Sequence, residues 1–456
     1  MCPLSDERLM TAILKETAKG FSRRVVEELS AGRNEPAWLL QRRLDAWQVY
    51  EATPMPTLQD ESWRRTDISA LPLEELAPYA EAPYAPPASA EGLPQEIRAL
   101  LGRAHGGLVI QHDSQVVHTS LAEEAAKQGV IFTSLERAAQ EHSDLVGPYL
   151  MTRALPPQYG KFAALHGALW SGSAFVYVPQ GVDVALPLQN LSWLASPGVA
   201  VFPHTLIVME AGSKLSFIAE QYSPELDGVS LFCPATEVYL GEGAQLFHAT
   251  IQQMGRQVYV MDARRHLLER DSRLESLSIG LGGKLTKSFV ECILTGAGSV
   301  AKMRGVVFAD GEQHFDHETL QEHIGPQASS DLFFKVVVKD QAMSVHMGTV
   351  KVRKDARGTD AGQTVRNLIL GPGGKAHPIL PLEIEASDIR RCSHAAAVGQ
   401  IDESQLFYLM SRGLSRREAE KLIVDGFFEP VLDAIPLPMV QERLRRAVDA
   451  KLAAAG

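Results

Sequence analysis

Between Leu165 and about Glu385 the chain is punctuated by glycine turns, each followed by a short β-prone run, with little helical periodicity between them. Ala211-Gly212-Ser213-Lys214-Leu215, Glu242-Gly243-Ala244-Gln245-Leu246, Gly282-Gly283-Lys284-Leu285 and Gly373-Gly374-Lys375-Ala376 are variants of one signal at irregular spacing. Runs such as Phe175-Val176-Tyr177-Val178, His204–Met209 and Glu237-Val238-Tyr239-Leu240 read as strands. Poor helical signal counts against βαβ units, and the lack of Asn-Gly hairpin loops counts against a sandwich. The pattern predicts a mainly β fold, a parallel β-helix, in which each coil covers its neighbour's apolar face and both ends need caps.

Around this core the sequence divides into four. Residues 1–100 read as helical with a proline-rich connector: Asn34-Glu35-Pro36 precedes Leu40, Leu44 and Trp47 at helical spacing. The connector runs through Pro54, Pro56, Pro83, Pro86 and Pro87, encloses Glu61–Asp67, and is expected to wrap over a neighbouring surface. Residues 101–164 form a small α/β lead-in, with a strand at Leu108–Gln111 and helices near Leu121–Gln128 and Leu135–Ser143. The β-helix occupies 165–400. Residues 401–456 read as three helices: one capped by Asp402 and ending at Gly413, a second opened by the capping box Ser415–Glu418, and a third marked by Val440, Leu444, Val448 and Leu452. The second carries Ala419, Leu422, Ile423 and Phe427 and is expected to stop near Pro430. The stripes are read as docking on the solenoid, with a partner-binding face as the alternative.

Composition removes several function classes. At 456 residues, 45% hydrophobic and 22% charged, this is an ordinary folded chain of several structural units. A net charge of -11 argues against a general nucleic-acid surface. Cys2, Cys233, Cys292 and Cys392 form no CxxC or CxxH pair, which disfavours a zinc ribbon or disulfide framework and fits a reducing compartment. Arg23-Arg24 leads into Val25-Val26-Glu27-Glu28 rather than an apolar run, and no stretch reaches the ~18 apolar residues of a membrane span, so a cytoplasmic protein is expected. Gly280–Thr286 approaches a phosphate loop, but Leu285 follows Lys284 where the hydroxyl belongs. No Gly-x-Ser-x-Gly, His-Glu-x-x-His or kinase set is present, so no complete catalytic signature is found.

Two clusters could hold a metal. His314-Phe315-Asp316-His317 with His323 is read as structural or interfacial, because its side chains need not converge. In Arg391-Cys392-Ser393-His394 a thiol and an imidazole stand two residues apart, which on extended backbone puts them on one face. The pair suits iron, copper or zinc, and Arg390 and Arg391 would lower the thiol pKa. Two ligands make half a site. The rest would come from another chain or from Cys233, Cys292 or His346, and chemistry alone weighs ligation and simple burial equally.

Cys392–Gln400 followed by Gln405–Gly413 closely resembles the SufB/SufD family of iron–sulfur cluster assembly proteins. So do Trp63–Asp67, the His317–His323 stretch with Pro326, Thr359–Gln363 leading to Asn367–Leu370, and Leu382-Glu383-Ile384. Where the SufB type carries a cysteine and a glutamate, Ile384 and Ala395 stand here, so the chain is more similar to the SufD type, although that type usually has glycine where Ala395 stands. The resemblance implies a right-handed parallel β-helix with helical ends, a SufB-like partner joined through it, and a SufC-like ATPase docked on the C-terminal helices. It implies no catalysis by this chain and no stably bound cofactor. A transient cluster would form at the partner interface, with Cys392 and His394 as the candidate ligands. For ATPase docking the candidates are Leu406, Phe407, Tyr408, Arg412, Ile423 and Phe427. A stand-alone β-helix enzyme, or a homodimer formed when partners are absent, are the competing expectations.

Overall fold

A computed structural model describes residues 19–80, 92–101 and 105–454; Cys2, Pro83, Pro86 and Pro87 lie outside the described residues. The strands form two sheets, a ten-stranded front sheet and a twelve-stranded back sheet. From His204 onward the chain alternates between them: His204–Met209 in the back is followed by Lys214–Tyr222 in the front, Ala235–Leu240 by Gln245–Gln253, and so on to Met343–Val352 and Thr359–Leu370. Each strand pairs in parallel with the equivalent strand of the next coil. This is the expected parallel β-helix.

The corners explain why the turn signals look irregular in sequence. Gly181, Gly212, Gly243, Asp271, Gly298, Gln327 and Gly358, 31, 31, 28, 27, 29 and 31 residues apart, all have φ between +54° and +71°. They stack in one column, because the N–H of each donates to a carbonyl in the following corner: Gly212 to Glu242, Gly243 to Arg270, Asp271 to Ala297 and Gln327 to Arg357. Gly283, Gly311, Asp340 and Gly371 mark the opposite corner. The turns quoted from sequence therefore belong to two columns. In the first, Asp271 and Gln327 adopt the left-handed conformation that glycine signals elsewhere.

Helices clad both outer faces. Alternate residues of the strands fill the lumen with Val176, Phe217, Val238, Leu274, Val290, Leu332 and Phe334. On the outside of the back sheet, Arg23–Gly32, Ala37–Ala52 and Lys161–Leu169 pack with Leu206, Val208, Tyr239 and Met261. In the second helix Leu39, Arg43, Ala46 and Trp47 are buried, whereas Leu40 and Leu44 of the expected stripe lie at its margin. Pro36 is itself the cap position. Buried Arg43 pairs with Glu35 at 2.6 Å and donates to the Trp170 carbonyl at 3.0 Å, satisfying a charge that burial would otherwise penalise. The connector does wrap: it crosses the back sheet as a strap, burying Trp63, Ile68, Leu71 and Leu73. Lys287, fully buried beneath it, donates to the Ser62 carbonyl and pairs with Asp316 at 2.8 Å and Glu318 at 3.0 Å.

The C-terminal helices Glu403–Ser411, Arg416–Leu432 and Pro438–Ala454 lie along the outer face of the front sheet, against Ile218, Ile251, Ile279, Val306, Phe308 and Val337. Val440, Leu444, Val448 and Leu452 are all buried, and the Ser415–Glu418 capping box is formed. The middle helix departs from expectation twice. Its buried face is Ala419, Val424, Phe428, Val431 and Leu432, one residue along from Ile423 and Phe427, because adjacent apolar pairs offer two stripes and tertiary packing selects one. It also runs through Pro430 to Leu432, with Gly426 four residues back, where backbone freedom lets the opposing carbonyl tilt from the ring.

The solenoid's two ends differ. At the N-terminal end the hairpin Gly107–His112/Gln115–Leu121 adds its first strand to Leu188–Trp193, and Ile131–Ser134 pairs antiparallel with Ala174–Val178. At the other end the helices cover a flank rather than the end, so the expected C-terminal cap is absent among the described residues. Among the described residues no helix is long and apolar enough to cross a membrane.

Candidate functional site at the open end of the solenoid

The last front-sheet strand, Ile389–Gln400, pairs along one side with Thr359–Leu370 and, among the described residues, has no strand on the other. Nine of its last ten residues, Ser393 to Gln400 among them, are exposed. A β-bulge at Arg390 sets its facing: Thr359 opposes Ile389, while Asp360 opposes Arg391. Because of this extra residue, Ile389 and Cys392, three apart, both turn toward the core formed by Val350, Val352, Ala356 and Ala361. From there Cys392, His394 and Ala396 follow the inward positions Ala361, Gln363 and Val365, so the thiol and the imidazole share one face at the mouth of the lumen.

Cys392 is half-buried, and that burial pushes its thiol above the ordinary cysteine range. This corrects the expected effect of the arginines. Arg391 points to the opposite face and pairs with Asp360 at 2.7 Å, and no positive charge counters the desolvation of the sulfur. Thiolate formation at Cys392 therefore needs a change of surroundings, such as a bound metal or a partner's charge.

His394 is exposed, with Nδ1 2.5 Å from the Leu380 carbonyl. A carbonyl only accepts, so Nδ1 donates to it, and in the neutral ring the lone pair is left on Nε2, the arrangement that fixes the tautomer of a ligating histidine. Leu380 also packs against the lumen core beside Gly348, where an added Cβ would fall 2.8 Å from its side chain. Leu380, not visible as a site residue in sequence, thus closes the lumen and orients the ring.

The other candidates do not join this pair. Cys233 lies on the back-sheet exterior and Cys292 in the lumen, both buried with thiols pushed up by desolvation. His346 is buried against Phe334 and held down at about 3 by desolvation. His317 stacks 6.4 Å from His346, His323 lies 2.7 Å from Ser330 Oγ, and His314 lies 3.0 Å from Thr66 Oγ1, so that cluster is spread through the packing. Among the described residues no group of three or more His, Cys, Asp or Glu side chains is placed to hold a metal ion.

The C-terminal helices present a second surface. Phe407 and Tyr408 are 73% and 56% exposed, with Arg412 stacked over the Tyr408 ring at 5.1 Å. Met410 on the same helix and Leu422 on the next, not singled out for docking from sequence, are also exposed. Leu406 is corrected to a core residue, and Ile423 and Phe427 are partly buried, the latter under the Lys335 ammonium.

Residues 27–190 match the SufBD protein N-terminal region, and residues 192–427 match the SufBD core domain of SUF-system FeS cluster assembly. The chain is 29% identical over 436 residues to the iron–sulfur cluster assembly protein SufB of Bacillus subtilis (strain 168), covering 94% of this chain and 92% of that protein. Iron–sulfur cluster assembly SufBD family proteins of Staphylococcus aureus (strain MRSA252) and Staphylococcus saprophyticus are similar at the same identity and coverage.

Proposed function

The chain belongs to the SufBD family of SUF-system iron–sulfur cluster assembly proteins, and from that premise we propose that it is a SufD-type scaffold subunit, pairing with a SufB-like partner and carrying a SufC-like ATPase. The observation that carries this reading is the bare strand Ile389–Gln400. An unpaired strand edge this long is a template for another chain, and Cys392 and His394 sit on it. A partner strand added there would bring its own ligands near His394 Nε2 and the Cys392 sulfur. The cluster is then cargo assembled between two chains, and neither partner holds a complete set alone.

ATP hydrolysis belongs to the partner, since Gly280–Thr286 is a corner with Gly283 at φ +90° rather than a phosphate cradle. Phe407, Tyr408, Arg412, Met410 and Leu422 form the docking surface, a combination of exposed aromatics and arginine that suits an interface centre. The protein works in a reducing cytoplasm. The relative named SufB favours a second reading, that this chain is the SufB type; Ile384 and Ala395, where the SufB type carries cysteine and glutamate, support the SufD type instead.

Co-expression with a SufB-like and a SufC-like protein tests the proposal. A stable complex is expected, and within it His394→Ala is expected to slow cluster formation from iron and sulfide, read by absorption. Cluster formation at the normal rate in that variant would sink the interface role. Recovery of the chain only as a self-pair in the presence of both partners would favour the homodimeric reading.

A further inference from the structure

Well away from the open end, the strap and the outer face of the back sheet enclose a cleft of about 540 Å³. That is the size of a small-ligand site. Four aromatic rings in mutual contact wall it: Trp63 stacks on Phe162 at 5.8 Å and meets Phe289 at 6.2 Å, and Tyr159 stands edge-on to Phe289 at 5.9 Å. The charges along the lining are one-sided. Asp60, Glu61, Asp262, Glu291 and Glu318 face a single cation, Lys161, whose Nζ is committed to the Tyr50 carbonyl at 2.6 Å and lies 3.7 Å from that ring.

Three of these carboxylates have cationic partners, Arg264 on Asp262 at 2.8 Å, Arg265 on Glu291 at 2.7 Å and Lys287 on Glu318 at 3.0 Å, none of which lines the cleft, while Asp60 and Glu61 have none among the described residues. Burial still pushes the carboxyl groups of Glu291 and Glu318 above the usual range, so both would gain from a further positive neighbour. The rings already accept an ammonium: Lys287 Nζ lies 5.3 Å from the Trp63 ring and 5.0 Å from that of Phe289.

We propose that this cleft binds a small organic cation, an ammonium group carried on a flat apolar body. The body lies against the wall that Trp63, Phe162, Phe289 and Tyr159 form, and the ammonium sits at the Glu61–Glu318 side. An anion of the same shape would face five carboxylate side chains, and a neutral one would strip water from them without replacing it. The inference does not depend on the cluster-assembly reading, since no residue of the open end contributes.

The test uses the full chain with phenethylamine and phenylacetate, which share a ring and differ in sign of charge. Calorimetry is expected to show saturable one-to-one binding of phenethylamine, with phenylacetate weaker by about tenfold or more. Glu318→Gln and Glu61→Gln are each expected to weaken phenethylamine severalfold; Glu61 is exposed, so its variant stays folded whatever the first does. Trp63 emission should change on binding, and Trp63→Phe should abolish that change. Absence of saturable phenethylamine binding, equal binding of phenylacetate, or wild-type affinity in folded Gln variants would each overturn the proposal.

Discussion

The lumen histidines should make the solenoid unusually sensitive to mild acid, and His346 allows the effect to be isolated. Burial holds His346 at about 3 and His266 and His323 at about 4, against about 6.5 in an unfolded chain. For a base whose folded pKa is depressed, the unfolded chain binds more protons below pH 6.5, so stability is lost as pH falls from there toward 4. Between pH 7 and 5 an unfolded histidine gains about 2 kcal/mol from protonation that the buried ring forgoes. Three such residues therefore cost about 6 kcal/mol, comparable to the whole stability of many domains. His346→Phe keeps a ring against Phe334 at 4.7 Å centroid spacing, but orphans the Thr319 hydroxyl that lies 3.2 Å from Nε2. That penalty is the same at both pH values and cancels. Urea melts of both proteins at pH 7 and 5 should show the variant losing about 2 kcal/mol less than wild type. If the two losses agree within about 0.5 kcal/mol, the imidazole is charged in the fold and the reasoning fails.

Other perturbations follow from the same geometry. Lys287→Met leaves Asp316 and Glu318 buried without their cation and should cost about 3–5 kcal/mol in thermal or urea unfolding. Lys451, buried by the front sheet and held down at about 8, pairs with Asp310 at 2.8 Å; its group contribution to stability should rise between pH 8 and 10.5, where the unfolded chain binds more protons, and Lys451→Met should remove that rise. At the corners, Gly243→Gln should destabilise by about 1–2 kcal/mol because φ is +67°, whereas Gln327→Gly should be near neutral or slightly stabilising, strain relief offsetting unfolded-state entropy. Val398→Pro on the bare strand should leave the melting temperature of the isolated chain nearly unchanged while weakening recovery with a SufB-like partner, because its N–H faces the free edge, Ile401 three residues on donating the opposite way to Ile369.

The parallel solenoid was legible because periodicity and missing helices survive without contacts, and the pairing Cys392–His394 because a two-residue spacing on a strand needs nothing else. The coil period was not legible: Asp271 and Gln327 occupy corner positions without a glycine to announce them, and the glycines that stand out come from two columns. Arg391 was misjudged because neighbouring residues on a strand face opposite ways, and the bulge at Arg390 that fixes which way appears only in the register. The choice between Ile423/Phe427 and Val424/Phe428 lay in the sheet the helix meets, not in the helix itself. Leu380 escaped notice because it acts through a carbonyl, which every residue has.

The C-terminal helices pack on front-sheet residues of five successive coils, from Ile218 through Ile251, Ile279 and Phe308 to Val337. A pull or twist applied to that module is consequently spread along the axis instead of peeling a single strand, and the continuous ladders between coils resist shear. The module serves mechanically as a handle. Whatever grips it at Phe407 and Tyr408 would turn the barrel as one rigid piece and swing the bare strand at its mouth through the largest arc.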